Sequence, residues 1–478
     1  SISRPFRLTA AVAALAAAGL AASPPGAPAG TLDRERFVPI DEVSVGDRCV
    51  GRTVLSGTEV EEFDVEIIGI VRGRGPGSDL ILGRALGAPF ERAGIMQGMS
   101  GSPVYLDGRL VGAFALAWGF NKEPIGGITP IAEMLPALEL LDRPGAAGTS
   151  GLPGRADRMI PESERARSRA AWLARQVGRG VAGRDTGRPA PASYRGLELR
   201  PIAVPLLCGG SAPGFVERVA EVLEGSGLAP VPGATAGSVE GATQLAPGSA
   251  VGVQFVGGDV SWTATGTVTH IEDDRLLAFG HSLFGAGRVE LPMVGASVHA
   301  VLPLQSVSFK YASGTDLVGT LVEDRNRMVA GVLGPPPPTM PLELHVSSDG
   351  GVERDFEFDV VRSKWYAPTF GGLAVASAVT EALRSSGAAS AVIDVEVTVG
   401  GSAIEYRNML DTASPAFRVG GEVGTLLDFI LLNDFEEQTV ERVRVDVAVR
   451  DGRRSATIER ATSDRRVYCP GDTIRLSV

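Results

Sequence analysis

The hexapeptide Gly98-Met99-Ser100-Gly101-Ser102-Pro103 sets a serine between two glycines. A hydroxyl on so tight a turn can act as a nucleophile if a base takes its proton and backbone amides face the oxyanion that attack creates. Glycine tolerates the dihedrals that would let the amides of Gly98 and Ser100 converge on that oxygen. The same residues also suit an ordinary Gly/Ser turn ahead of a strand, so the motif needs a base elsewhere. Four histidines are available: His270, His281, His299 and His345. His299 (ASVHAVL) and His345 (LELHVS) alternate within strand-like runs and read as packed or surface residues. His270 precedes the acidic turn Glu272-Asp273-Asp274, which reads as a solvated hairpin, and no second histidine stands at metal-ligand spacing. His281 ends Leu277-Ala278-Phe279-Gly280-His281, where a buried run meets a glycine. That position suits a general base or a structural histidine.

Both residues need strands to hold them. Val60–Val71 alternates and then becomes apolar, and Arg109–Trp118 is a second buried run entered through Leu106-Asp107-Gly108. Ser100 falls between the two. His281 follows strand-like runs at Ser249–Val256, Ser261–Ile271 and Arg275–Phe279, with others at His299–Phe309, Asp316–Val322, Met328–Leu333 and Leu342–Val346. Pro213–Leu228 has the spacing of an amphipathic helix, and Leu373–Leu383 suits another. Period-two alternation in Val392–Val399 and Arg442–Arg450 points to a terminal β-sandwich-like domain over 366–478. The last residues, Arg475–Val478, read as the middle of a strand, so that domain is expected to run on.

Composition supports this outline. The chain has 478 residues, 44% hydrophobic and 21% charged, which excludes wholesale disorder. Its 45 Lys+Arg against 56 Asp+Glu leave a net charge of −11, which argues against a nucleic-acid partner. Sixty-two glycines, 32 prolines and 6% aromatics favour turns and short strands over a helical bundle. Arg4 and Arg7, the apolar run Leu8–Ala22 and the small residues Ala27–Ala29 make a signal peptide over 1–29. An exported chain is expected, in the periplasm, the cell envelope or outside the cell. No later run is apolar enough to be an integral span of the mature chain. Residues 142–195 carry an Arg/Gly/Pro-rich stretch, with ten Arg against Asp157, Glu162, Glu164 and Asp185 between Arg155 and Arg195. It reads as an inter-domain linker or a basic docking patch. Cys49, Cys208 and Cys469 are odd in number, so one pair at most can form.

Here the residues meet a known pattern. Glu62–Ile67, Ala93–Val104 (AGIMQGMSGSPV) and Gly108–Gly112 resemble the C-terminal half of the SpoIVB sporulation serine peptidase family. Thr263 through Gly280-His281-Ser282, then Gly319, Asp324-Arg325 and Gly331–Gly334, resemble that family's N-terminal half. The resemblance covers roughly 42–140 and 246–365. It implies a mainly β fold with two chymotrypsin-like six-stranded β-barrels, here in permuted order because Ser100 precedes His281. A Ser-bearing barrel (38–141), a helical and strand connector (196–245) and a His-bearing barrel (246–365) follow. The resemblance makes Ser100 the nucleophile, His281 the base and the amides of Gly98 and Ser100 the oxyanion hole. No metal or cofactor is needed, and the partner is a protein or peptide substrate. The acid departs from the family, because its position fifteen residues before the serine is Ala85. Asp324, some forty residues after His281, is the favoured orienting acid, with Asp79 and Asp316 behind it. The expected function is an exported serine endopeptidase acting on a restricted set of extracytoplasmic proteins or on itself. The rival reading is a catalytically impaired or inactive scaffold on the same barrels.

Overall fold

Alternation in Val60–Val71 buries Phe63, Val65 and Ile67 and turns Glu62 and Asp64 to solvent. A strand with one apolar face must cover it, and here the sheet closes on itself. Strands β1 (Arg48–Val54), β2 (Val60–Val71), β3 (Leu80–Ala85), β4 (Pro103–Leu106), β5 (Arg109–Ala117) and β6 (Ile125–Pro130) join in the order β1-β2-β3-β6-β5-β4 and back to β1. Every pairing is antiparallel. The wholly buried centre of β5 and the aromatic group Phe63, Phe90 and Phe114 fill the interior. Three short helices complete this part: α1 (Ala88–Ala93), α2 (Ile131–Met134) and α3 (Pro136–Leu141).

The computed structural model describes residues 32–73, 79–119, 121–141, 200–212, 214–234, 244–305, 307–383, 389–433, 435–454, 456 and 458–478. The expected signal peptide and the basic linker lie outside the described residues. The chain resumes with β7 (Arg200–Pro201), β8 (Val204–Gly209), α4 (Phe215–Val222) and β9 (Leu228–Gly233), in which β8 and β9 run parallel.

A second barrel follows, built from β10 (Ala250–Gly258), β11 (Ser261–Glu272), β12 (Arg275–Ala278), β13 (Gly287–Leu302), β14 (Phe309–Arg325) and β15 (Met328–Leu333). Its ring runs β10-β11-β12-β15-β14-β13 and back to β10, again wholly antiparallel. Both barrels therefore have the order first-second-third-sixth-fifth-fourth, the double-barrel architecture implied by the sequence. Apolar residues of α2 and α3 (Ile131, Met134, Leu138, Leu141) pack on Leu277, Val322, Met328 and Ala330 of the second barrel.

The sheet does not stop at the second barrel. Strand β17 (Glu353–Val361) pairs with the end of β10, and β16 (Thr339–Ser348), β20 (Val440–Asp451), β18 (Ala389–Val399) and β19 (Ser402–Thr412) continue the ladder outward. The terminal region is β-rich, but its second layer corrects the sandwich expectation. Helices α5 (Ala367–Leu383) and α6 (Pro415–Leu431) cover the sheet where a second sheet was expected. They can cross closely because a Cβ on Gly420 would fall 2.2 Å from the Gly372 carbonyl oxygen, so only glycine fits. Among the described residues no helix is long and apolar enough to cross a membrane.

Candidate active site

Ser100 lies on the connection between the third and fourth strands of the first barrel, and His281 on the equivalent connection of the second. The serine turn depends on two glycines with positive φ, Gly98 at 88° and Gly101 at 96°. Its amides divide into two groups. Those of Met99, Gly101 and Ser102 donate to the carbonyls of Met96, Phe114 and Met99. Those of Gly98 and Ser100 have no acceptor among the described residues, although both residues are buried. Buried N–H groups are seldom left unpaired, and two unpaired amides next to a serine hydroxyl are donors that can receive an oxyanion.

The opposite barrel clamps the other side of this turn. Thr267 donates its amide to the Ser100 carbonyl at 2.8 Å and its hydroxyl to the Gly98 carbonyl at 2.9 Å, while the Thr269 hydroxyl reaches the Gly101 carbonyl at 2.8 Å. The approach is so close that a Cβ on Gly101 would fall 2.0 Å from the Thr267 carbonyl oxygen. In return, the Thr129 hydroxyl of the first barrel donates to the Gly280 carbonyl at 2.8 Å, just before the histidine. Phe279 holds a left-handed φ of 67°, an uncommon conformation for a residue with a side chain, and it begins the bend that presents His281.

These constraints bring the two side chains together. His281 Nε2 lies 2.8 Å from Ser100 Oγ, and His281 Nδ1 lies 2.7 Å from the carbonyl oxygen of Ser282. A carbonyl only accepts, so Nδ1 must carry the ring proton. Nε2 is then left with its lone pair toward the serine, the tautomer that general-base catalysis requires. Ser100 is 0% and His281 3% exposed. Burial is the main force on the ring and lowers its pKa to about 4, while the carbonyls of Ser282 and Ile202 pull the other way. The imidazole is therefore neutral at pH 7.

Asp324 stands behind the histidine loop and does not touch the ring. Its Oδ1 accepts the Leu283 amide at 2.7 Å, and its Oδ2 accepts those of Phe284 at 2.8 Å and Ala286 at 3.2 Å. Burial raises its pKa above the usual carboxylate range, against the loop amides, which favour the anion. The expected contact with His281 Nδ1 is replaced by the Ser282 carbonyl, because the carboxylate is fully engaged one step further along the loop. The other candidates lie elsewhere. Asp79 accepts the Gly73 amide and pairs with Arg72, and Asp316 is exposed on β14. Ala85 is buried in β3.

The remaining histidines and cysteines stay outside the site. His270 packs edge-on against Phe37, so the residue is buried although the turn after it is solvated. His299 bonds the Ser313 hydroxyl, and half-buried His345 pairs with Asp355 and Glu353. All three cysteines are free thiols, and burial pushes Cys49 and Cys208 up to about 12.

Two neighbours of the site carry no motif. The stem of Lys310 lies against Gly98, where a Cβ would meet it at 3.3 Å. Its ammonium is buried on the Thr53 hydroxyl at 2.6 Å, and Thr53 in turn receives the Ser102 hydroxyl at 3.0 Å. Burial lowers the lysine pKa to about 7. A lysine within an otherwise strand-like run was the one signal available. The second is Ile202, whose carbonyl oxygen lies 3.5 Å from Ser100 Oγ; nothing in its sequence context marks it.

With this geometry in place, comparison with known proteins gives one match. Residues 37–135 fit the family model described as SpoIVB peptidase S55, which covers the Ser-bearing barrel. No curated protein and no solved structure matches the chain.

Proposed function

We propose that this chain, whose first barrel is of the SpoIVB peptidase type, is an exported serine endopeptidase that works through an acyl-enzyme. The observation that carries the reading is the 2.8 Å contact between Ser100 Oγ and His281 Nε2, with the tautomer fixed by the Ser282 carbonyl. In this reading Ser100 attacks a peptide carbonyl, and Nε2 takes the hydroxyl proton and passes it to the departing amine. The Gly98 and Ser100 amides receive the oxyanion. Losing an orienting aspartate by amidation costs about 10⁴-fold in the best-known serine peptidases, because the ring then adopts the wrong tautomer. A backbone carbonyl avoids that error. It gives up only the charge that a carboxylate would set against the imidazolium. Substrates are a restricted set of extracytoplasmic proteins or further copies of the chain itself. The His-bearing barrel then corresponds to the family's N-terminal half, so that the two barrels enclose one cleft in permuted order.

The rival reading is a catalytically impaired scaffold, favoured by the lack of any carboxylate on His281 among the described residues. A fluorophosphonate probe separates the two. The expected outcome is covalent labelling of the folded chain that disappears in Ser100→Ala and His281→Ala. Labelling that survives Ser100→Ala, or none under any condition that frees the cleft, supports the scaffold.

A further inference from the structure

The chain leaves the first barrel's domain and reaches the second by way of the cleft itself. Arg200–Pro201 adds to the edge of β5 as an antiparallel strand, with Pro201 opposite Leu116 and Arg200 opposite Ala117. The Ile202 amide then donates to the Ala115 carbonyl at 2.9 Å, and the Ile202 carbonyl arrives at Ser100. An extended peptide docking on this edge by strand addition would place its reactive carbonyl in the same position. Ile202 is buried at 4% exposure, whereas Arg200 and Pro201 are exposed.

We propose that Arg200–Ile202 is a tethered, substrate-like strap that occupies the acyl side of the cleft and holds the site inactive. The inference rests on the serine-peptidase reading above. It also describes the substrate class: an extended chain with a buried aliphatic residue at the Ile202 position and little selection at the two positions before it.

Two features make the strap an inhibitor and not a cut site. First, the Ile202 oxygen lies beside Ser100 Oγ, while the Gly98 and Ser100 amides remain unmatched. A productive pose would put that oxygen on those amides and turn the carbonyl carbon to Oγ. Second, the chain beyond Ala203 is held in place. Val204 donates to the Gly227 carbonyl at 3.1 Å, and β8 is buried throughout as it pairs with β11. Suppose Oγ attacked the Ile202 carbon and its proton passed through His281 to the Ala203 nitrogen. The Ile202–Ala203 bond would break, and the ester would form with the Ala203 amine still beside it. That amine would attack the ester, re-form the peptide bond and return the proton to Oγ. A tethered amine at high effective concentration outcompetes water.

The test uses the full chain with Ile202→Ala, which removes the buried anchor, and Ile202→Pro, which removes the amide donated to Ala115. Two readouts are needed: the rate of fluorophosphonate labelling at Ser100, and hydrogen exchange of the segment around residue 202. Wild type is expected to label at least ~10-fold more slowly than either variant, with slow exchange at Ile202 that becomes fast in Ile202→Ala. A synthetic peptide copying residues 196–202, added to Ile202→Ala, slows labelling again. Equal labelling of wild type and both variants, with the strap lifted by exchange, overturns the proposal and leaves the peptidase reading intact. Rapid exchange at Ile202 in wild type also overturns it. Absence of Ser100-dependent labelling in every variant, with the strap shown to be lifted, overturns the peptidase reading and the inhibitor proposal with it.

Discussion

The two barrels share one strand order and carry Ser100 and His281 on the same connection, yet the two residues are held differently. The serine barrel carries Ser100 and the two unpaired amides on a glycine turn that is braced from both sides. Three of that turn's carbonyls are fixed by Thr267 and Thr269 of the other barrel. The histidine barrel supplies a ring fixed by its own loop, through the Ser282 carbonyl and the Asp324 cradle. Equivalent topology therefore places the groups, while the stiffness of each comes from a different source: across the interface for Ser100, from behind for His281. In both, the partner is a fixed dipole or charge, as preorganisation of a site requires.

The most severe break in this arrangement is removal of either reactive group. In an Ile202→Ala background, Ser100→Ala and His281→Ala are each expected to lower peptide hydrolysis on the order of 10⁶-fold. Initial rates on a peptide with an aliphatic residue at the cleavage site provide the check. Gly101→Ala tests whether the serine turn depends on the other barrel. The methyl meets the Thr267 carbonyl and requires a positive φ, so a loss of about 3–5 kcal/mol is expected in urea unfolding, together with loss of labelling.

Asp324→Asn tests the other kind of support. A carboxylate touching Nδ1 would make this change cost about 10⁴-fold through the wrong tautomer. A carboxylate holding only the loop amides predicts a loss of roughly 10–100-fold, from misplacement of the ring, with the pH midpoint of the rate unmoved. A 10⁴-fold loss would show that the ring turns to Asp324 in the working enzyme.

The remaining effects lie in pH. His281 titrates near 4 in the folded chain and near 6.5 once unfolded, so between those values the unfolded chain holds the extra proton. Stability should rise with pH across that window, on the order of 3 kcal/mol, and level off above it. Lys310 acts in the same sense higher up, between about 7 and 10.5. The penalty for its buried charge is complete below about 7 and fades as pH rises. Lys310→Met should remove the upper rise and raise the melting temperature at pH 6, as followed by thermal unfolding across pH. An unchanged upper rise in that variant would show that Lys310 is not the group responsible.

Much of the site was legible because the chemistry needed rare residues in restricted settings. A serine between glycines and one histidine at the end of a buried run identified the pair. What sequence could not show was backbone chemistry. The Ser282 and Ile202 carbonyls do their work without any side chain, and every residue has a carbonyl. Asp324 lies behind the histidine loop of the same barrel, on the loop amides and not on the ring. Spacing alone could not say whether its oxygens would meet a ring or the amides next to that ring. Strands were readable from alternation in Val60–Val71 and Arg109–Trp118, and their closure into two barrels was implied by the resemblance to the SpoIVB family. Helix α6 was not readable, because Gly420, Gly421 and Gly424 argue against a helix by propensity, and the close crossing with α5 explains Gly420 and Gly424.

The ladder that links the histidine barrel to the terminal layer has a consequence for how the molecule comes apart. From β19 through β17 to β10 and on to β9, neighbouring strands share hydrogen bonds without a break, whereas no ladder in that sheet includes the strands of the serine barrel. Unfolding units follow such continuity. On heating, the terminal layer and the histidine barrel should melt together as one large cooperative block. The serine barrel is joined to it by threonine contacts, two isolated bridges (Gly57 with Val298, Gln97 with Phe309) and two apolar clusters, and is expected to separate at lower energy. In that event Ser100 and His281 would part before either barrel had lost its own shape.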